Sequence, residues 1–233
     1  MAGIDDEMKT SRQAAEDIVK YDPDKVLWNP SEPVAKVEMT PEQKRNLAIK
    51  DMARRLRQEE NSKLNPKGGW DAFSGRWYPH DSHEGGAQTI GYGKKLSNGD
   101  RWTELVRERE RSEGKGYLTD AEVEQMLAED TPKYYDAARS VFDRTHGEGS
   151  WDALNHKQQS ILADYEYNVK GGLAKYEKLM KAAYDGDVDA MLRESPRYSG
   201  GKPLGRNKGI AKDIDSLRSD YPVTPVANVK GAK

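Results

Sequence analysis

Glu60, Asp81, Glu84 and Thr89 are the residues whose types and order could carry chemistry. Glu60 closes a stretch whose apolar residues recur at helical steps. A carboxylate at the edge of such a face has its charged form disfavoured, so its pKa rises and it can hold a proton near neutrality, as a general acid must. Asp81 and Glu84 fall in a polar segment where a carboxylate stays ionised. A protonated and an ionised carboxyl together could protonate a glycosidic oxygen on one side while activating water or stabilising positive charge on the other. The chain carries 40 acidic residues among 233, so carboxylate pairs also arise by chance and spacing alone does not define a site.

Other chemistries fit less well. His80-x-x-His83-Glu84 gathers two imidazoles and a carboxylate, as zinc sites do, but in a Gly-bounded loop and without the helical H-E-x-x-H order; His146 and His156 lie far along the chain. Neither metal nor cofactor is expected. The absence of Cys excludes a disulfide framework, a Cys-ligated zinc and a thiol nucleophile. Gly85-Gly86 and Gly91-Tyr92-Gly93-Lys94 lack the full phosphate-loop pattern, and no Ser sits in a nucleophile elbow. The formal net charge of -2 offers no bulk field for nucleic acid. Lys202, Arg206, Lys208, Lys212 and Arg218 make the C-terminal part locally basic, in the manner of solvated helix faces. The opening MAGIDDEMKTSRQ has acids where an export signal carries positive charge, and no stretch is apolar enough to span a bilayer. Five Trp and twelve Tyr in a nearly neutral chain favour a folded core.

The elements that must position these residues follow from start signals and periodicity. Residues 1–39 contain Pro23, Pro30, Pro33 and little apolar pattern, and read as an extended arm with one short helix near Met8–Val19. Thr40-Pro41-Glu42-Gln43 is a helix start, and the helix should run to about Asn61, burying Leu47, Ile49, Met52, Ala53 and Leu56. Gly75–Pro79 and Ala87–Gly93 are short aromatic and β-branched runs that suggest a small antiparallel sheet, with His80–Gly86 as a polar loop between them. From Trp102 the pattern is helical. Thr119 with Glu122 and Asn155 with Gln158 form two more capping boxes, and helices are predicted from about Thr119, over Asn155–Asn168, and near Leu173–Tyr184, Val188–Arg193 and Asn207–Arg218. The fold class is α+β, a small sheet lobe over about 62–100 and a larger helical lobe over about 101–220 with a cleft between them, followed by a tail over 221–233.

In their order, Glu60-Asn61-Ser62-Lys63-Leu64, Tyr78, Glu84-Gly85 and Thr89-Ile90-Gly91-Tyr92-Gly93 resemble the T-even-phage-type lysozymes, the muramidases of glycoside hydrolase family 24. Leu154–Leu162, Tyr167-Asn168, Gly171 and Leu204-Gly205-Arg206-Asn207 are similar to that family's helical-lobe elements, so the resemblance covers about residues 41–220. It implies a lysozyme-like fold, with Glu60 as general acid, Thr89 positioning the attacking water, and Asp81 or Glu84 as second carboxylate. Glu59 is the rival to Glu60, and Lys94 stands where the family has His after its TIGxG. The implied reaction is hydrolysis, with inversion, of the β-1,4 bond between N-acetylmuramic acid and N-acetylglucosamine in peptidoglycan. Trp70, Trp77, Tyr78 and Tyr92 could pack on sugar faces, with burial as the alternative use. The resemblance further implies a phage endolysin reaching the wall with a holin's help, or a virion component with the arm and tail meeting other virion proteins. A non-catalytic wall-binding module and a lytic transglycosylase are the competing functions.

Overall fold

The computed structural model describes residues 39–59, 69–81, 88–169, 171–199, 201–204 and 206–220, all within the unit Met39–Lys233. The expected helix near Met8–Val19, the arm before Met39 and the tail over 221–233 lie outside the described residues.

Helix α1, Pro41–Glu59, begins on the capping box that its sequence announces. The Gln43 N–H donates to Thr40 Oγ1 at 3.2 Å, and the Thr40 N–H donates to Gln43 Oε1 at 2.9 Å. Its buried stripe is Ala48, Met52, Ala53, Arg55 and Leu56, whereas Leu47 is exposed. Successive residues are rotated by about 100°, so choosing Ala48, Met52 and Leu56 as the inner row turns Leu47 toward water. The stripe faces the two long helices of the helical lobe, α3 (Asp120–His146) and α5 (His156–Asn168).

Strands β1 (Trp70–Asp71), β2 (Arg76–Trp77) and β6 (Leu118–Thr119) form one antiparallel sheet in that order. Trp70 and Leu118 are each in register with Trp77 on one face. Trp77 and Leu118 are fully buried there, and alternation sends Arg76 to the other face. A second antiparallel sheet holds β3 (His80–Asp81), β4 (Gln88–Ile90) and β5 (Lys94–Lys95). The start of the expected polar loop is therefore strand, because His80 and Asp81 pair with Thr89 and Gln88. Leu118-Thr119 is likewise a strand as well as a cap, since Thr119 ends β6 and its hydroxyl accepts from the Glu122 N–H at the start of α3.

Helix α2, Arg101–Glu113, is capped by Asp100 and ends at Gly114, whose φ of 76° lets its N–H bond back to Glu110. After α3 come α4 (Ser150–Ala153), α5, a 3₁₀ turn at Leu173–Lys175, α6 (Glu177–Asp185) and α7 (Val188–Glu194). A hairpin of β7 (Tyr198–Ser199) and β8 (Lys202–Pro203) precedes α8 (Asn207–Asp215) and a closing 3₁₀ turn at Ser216–Ser219. The predicted single helix near Leu173–Tyr184 is split at Tyr176, whose φ of -114° and ψ of 48° leave the helical region. At the core of the helical lobe, Trp151 Nε1 donates to Tyr135 Oη, Tyr135 donates to Gln159 Oε1, and Gln159 Nε2 donates to the Trp151 carbonyl. This closed ring satisfies polar atoms that burial would otherwise leave at a cost of about 1–3 kcal/mol each.

Candidate active site

Of the residues expected to act, Thr89 and Asp81 are among the described residues. Thr89 has described side-chain partners. It lies in β4, is buried, and faces His80 across the β3–β4 pair. Its hydroxyl lies 3.3 Å from His80 Nε2 and 3.4 Å from the His80 carbonyl, while His80 Nδ1 lies 3.4 Å from the Tyr78 carbonyl. A carbonyl only accepts, so the Tyr78 carbonyl favours the tautomer with the proton on Nδ1, and the single Thr89 hydroxyl proton is shared between His80 Nε2 and the His80 carbonyl. Among the described residues no donor takes the threonine oxygen, which leaves its lone pairs for one such as water. All three contacts are long, so they orient the hydroxyl without committing it.

Asp81 is exposed at the end of β3. Alternation along the strand puts it on the face opposite His80, and therefore opposite the Thr89 hydroxyl. Glu60 and Glu84, the side chain of Glu59, and His83 of the weighed zinc cluster lie outside the described residues. Among the described residues no group of three His, Asp or Glu could hold a metal ion.

The turn after Thr89 is held by the helical lobe. Gly91 has φ 61°, and a Cβ there would stand 2.7 Å from Val123 Cγ1, so the close approach of this turn to α3 requires glycine. Tyr92 follows with its ring buried against Trp77, at 5.5 Å between centroids. The Tyr92 hydroxyl donates to Glu124 Oε1 at 2.8 Å, and the Tyr92 carbonyl accepts from the Tyr167 hydroxyl at 2.9 Å. Glu124 Oε2 accepts from Arg57 Nε at 2.9 Å and Nη2 at 2.7 Å. The Arg57 hydrogen bond holds the Glu124 carboxyl below the usual carboxylate range against partial burial, and burial pushes the Tyr92 phenol up. Two further rungs join the same lobes: Trp77 Nε1 donates to Asp120 at 3.0 Å and Lys94 Nζ to Asp130 Oδ2 at 2.7 Å. Each rung runs from a donor on the sheets or the β4–β5 turn to a carboxylate on α3.

The type and order of residues singled out Thr89, but His80 only as a candidate zinc ligand and not as the threonine's partner, and not Asp120, Glu124 or Asp130 of α3. Asp120, Glu124 and Asp130 look in the sequence like the polar face of a helix; nothing local marks them as acceptors for residues far upstream. Of the aromatics considered for sugar stacking, Trp77 and Tyr92 are buried in the core. Trp70 and Tyr78 are half-buried, Trp70 with its ring centroid 5.0 Å from that of Trp77 and Tyr78 beneath the Lys115 ammonium at 3.7 Å.

Two small antiparallel sheets bound through one long helix to a larger helical lobe, with a threonine oriented at their junction, define an α+β protein of lysozyme-like architecture. Residues 69–212 match the phage lysozyme family, and the chain belongs to that family. The match takes in His80, Asp81, Glu84, Thr89 and the three rungs to α3, and it begins after Glu60. No match of comparable strength is found among curated proteins or solved structures. Membership makes the protein a glycosidase-type enzyme whose substrate is peptidoglycan. No helix among the described residues is long and apolar enough to cross a membrane.

Proposed function

We propose that this protein is a muramidase that hydrolyses the β-1,4 bond between N-acetylmuramic acid and N-acetylglucosamine, with Glu60 as general acid. Glu60 gives its proton to the leaving glycosidic oxygen as the bond to the anomeric carbon breaks. A water held by Thr89 and an ionised carboxylate attacks the opposite face of that carbon, and the carboxylate takes its proton. The product has inverted configuration, and the cycle closes as the second carboxylate releases its proton to solvent and Glu60 regains one. Membership of the phage lysozyme family over residues 69–212 supports the peptidoglycan-hydrolase part of this reading, while the role of Glu60, which precedes that range, rests on the resemblance of the Glu60–Leu64 segment. The Thr89 hydroxyl, oriented by His80 with lone pairs to spare, supports its part in holding water. Alternation along β3 favours Glu84 over Asp81 as the second carboxylate, because Asp81 is turned from Thr89.

The test is release of reducing ends from purified peptidoglycan. The natural chain should release them, Glu60→Gln should lower the rate by at least about a hundredfold, and Thr89→Ala by about tenfold or more. Full activity in Glu60→Gln would remove the proposed acid. No release by the natural chain would favour a wall-binding module, and 1,6-anhydro ends in the muropeptide mass spectrum would make the enzyme a lytic transglycosylase. The biological setting is phage attack on the cell wall, as an endolysin that leaves the host cytoplasm through a holin's lesion or as a virion component bound to other virion proteins. Immunoblotting of purified particles separates the two.

A further inference from the structure

We propose that Glu124 is a positioning residue for the hydrolysis assigned above to Glu60 and Thr89, a proposal that rests on that assignment. It is the carboxylate at which the two halves of the proposed machinery meet. Arg57 stands in the last turn of α1, and the chain from Arg57 to Glu60 can separate their Cα atoms by at most about 11 Å. Tyr92 stands in the turn that follows Thr89. Both side chains end on Glu124: Arg57 binds chiefly Oε2 through Nε and Nη2, and the Tyr92 hydroxyl binds Oε1 at 2.8 Å. The carboxylate itself is mounted on α3, whose first turn is fixed by its capping box and by Trp77 on Asp120.

The bridge comes where apolar packing gives out. Among the described side chains of α1, Leu56 is the last buried one, and a helix end leaves its final carbonyls without intrahelical partners. The fork on Glu124 therefore holds the α1 terminus at the point from which the chain continues to Glu60. Among the described residues, the charged and titratable groups that face Glu124 are Arg57 from α1, Tyr92 from the β4–β5 turn and Asp120 from its own helix. The Arg57 and Glu124 side chains are 44% and 38% exposed, so the pair adds little to global stability and acts through placement. Displacement of a reacting group by about 1 Å can cost a hundredfold in rate.

The molecule supplies its own control. Arg45 binds Asp136 with Nε and Nη2 at 3.0–3.2 Å, joining the same two helices about 18 Å further back along α1. The experiment measures kcat and KM on soluble peptidoglycan fragments for the full chain and for Glu124→Ala, Glu124→Gln, Asp136→Ala and Glu60→Gln, with melting curves showing each variant folded at the assay temperature. Glu124→Ala should lose at least about tenfold in kcat with KM within about twofold. Glu124→Gln can still accept from Arg57 and donate to the Tyr92 oxygen, and it should recover to within about threefold of the natural chain. Asp136→Ala should stay within about twofold. Undiminished turnover in Glu124→Ala, a loss confined to KM, or an equal loss in Asp136→Ala would each overturn the proposal. If Glu60→Gln is inactive while Glu124→Ala is fully active, only this inference fails; activity retained in Glu60→Gln would remove the reading beneath it.

Discussion

Lys94 directly follows the TIGYG run, at the position where the resembling family carries His, and its surroundings explain how a lysine serves there. Its ammonium donates to Asp130 Oδ2 at 2.7 Å and lies 3.4 Å from Asp100, with the Lys94 and Asp130 side chains only 16% and 5% exposed. Burial works against the charge, but the hydrogen bond and charge of Asp130 outweigh it, and the Lys94 pKa stands above its ordinary 10.5. A base whose folded pKa is raised contributes stability that is complete below its unfolded pKa and lost only as pH climbs through the folded one. The rung from β5 to α3 is therefore constant from neutrality to about pH 10. Lys94→His would replace it with an imidazole of ordinary pKa about 6.5. That variant should unfold in urea within about 1 kcal/mol of the natural chain at pH 5.5 and fall a further 1–2 kcal/mol or so behind by pH 8.5. An offset equal at both pH values would show that the charge on residue 94 is not what joins the lobes. The pair also marks where sequence legibility ends. Thr89 and the upstream acids could be singled out because type and order carry the chemistry, whereas Lys94 and Asp130 are far apart in the chain and neither is unusual alone.

At the scale of elements, helix starts were the most legible feature, because a cap is a local bargain between a side chain and the N–H groups beside it. Thr40 with Gln43, Thr119 with Glu122, and Asn155 with Gln158 all form reciprocal boxes. Strands of two or three residues were less legible. β6 and the β7–β8 hairpin owe their existence to pairing with distant or equally short partners, and no alternation develops over such a length. Glu122 goes beyond its cap: it accepts from the Thr119 N–H at 2.7 Å and takes both Arg109 nitrogens at 2.7 and 2.8 Å, tying α2 to the start of α3. The Arg109 hydrogen bond, opposed by partial burial and reinforced by Thr119, depresses its pKa to about 2 from the ordinary 4.5. A carboxyl depressed in the folded state stabilises fully above its unfolded pKa and loses that contribution as pH falls through the folded value. Glu122→Gln should therefore be about 2–3 kcal/mol less stable than the natural chain above pH 5, with the gap closing between about pH 4.5 and 2. Urea titrations at pH 6 and pH 2.5 measure it, and a gap that persists unchanged at the lower pH would assign the loss to packing.

For the molecule as a whole, the segments after α7 are locked onto the helical lobe through a charge buried in α5. Asp164 is fully buried and accepts from Arg197 Nη2 at 2.7 Å and from Asn168 Nδ2 at 2.9 Å, while the Arg197 guanidinium lies 4.4 Å over the Tyr165 ring. The Arg197 backbone is tied to α8 by the Asn207 side chain, whose Oδ1 accepts at 3.0 Å and Nδ2 donates at 2.8 Å, and the Leu204 N–H donates to the Arg197 carbonyl at 3.0 Å. Both ends of the β7–β8 hairpin thus converge on one arginine. Removing two charges from water is costly, so the attraction between them does little more than offset desolvation, while removing one partner leaves the other uncompensated. Asp164→Asn should accordingly lose about 3–5 kcal/mol in urea unfolding, whereas Asp164→Leu combined with Arg197→Met should lose less than either single change. Were the losses of the two single variants simply to add in the double variant, the coupling between Asp164 and Arg197 would be zero and each side chain would contribute independently of the other. Partial recovery in the double variant would instead mean that the ion pair's contribution is to select the docked arrangement of hairpin and α8 over alternatives an apolar patch would tolerate. Hydrogen exchange would then show faster opening of α8 in the double variant at nearly unchanged global stability, because the apolar pair restores burial without the fork that orients residue 197 toward Asn207.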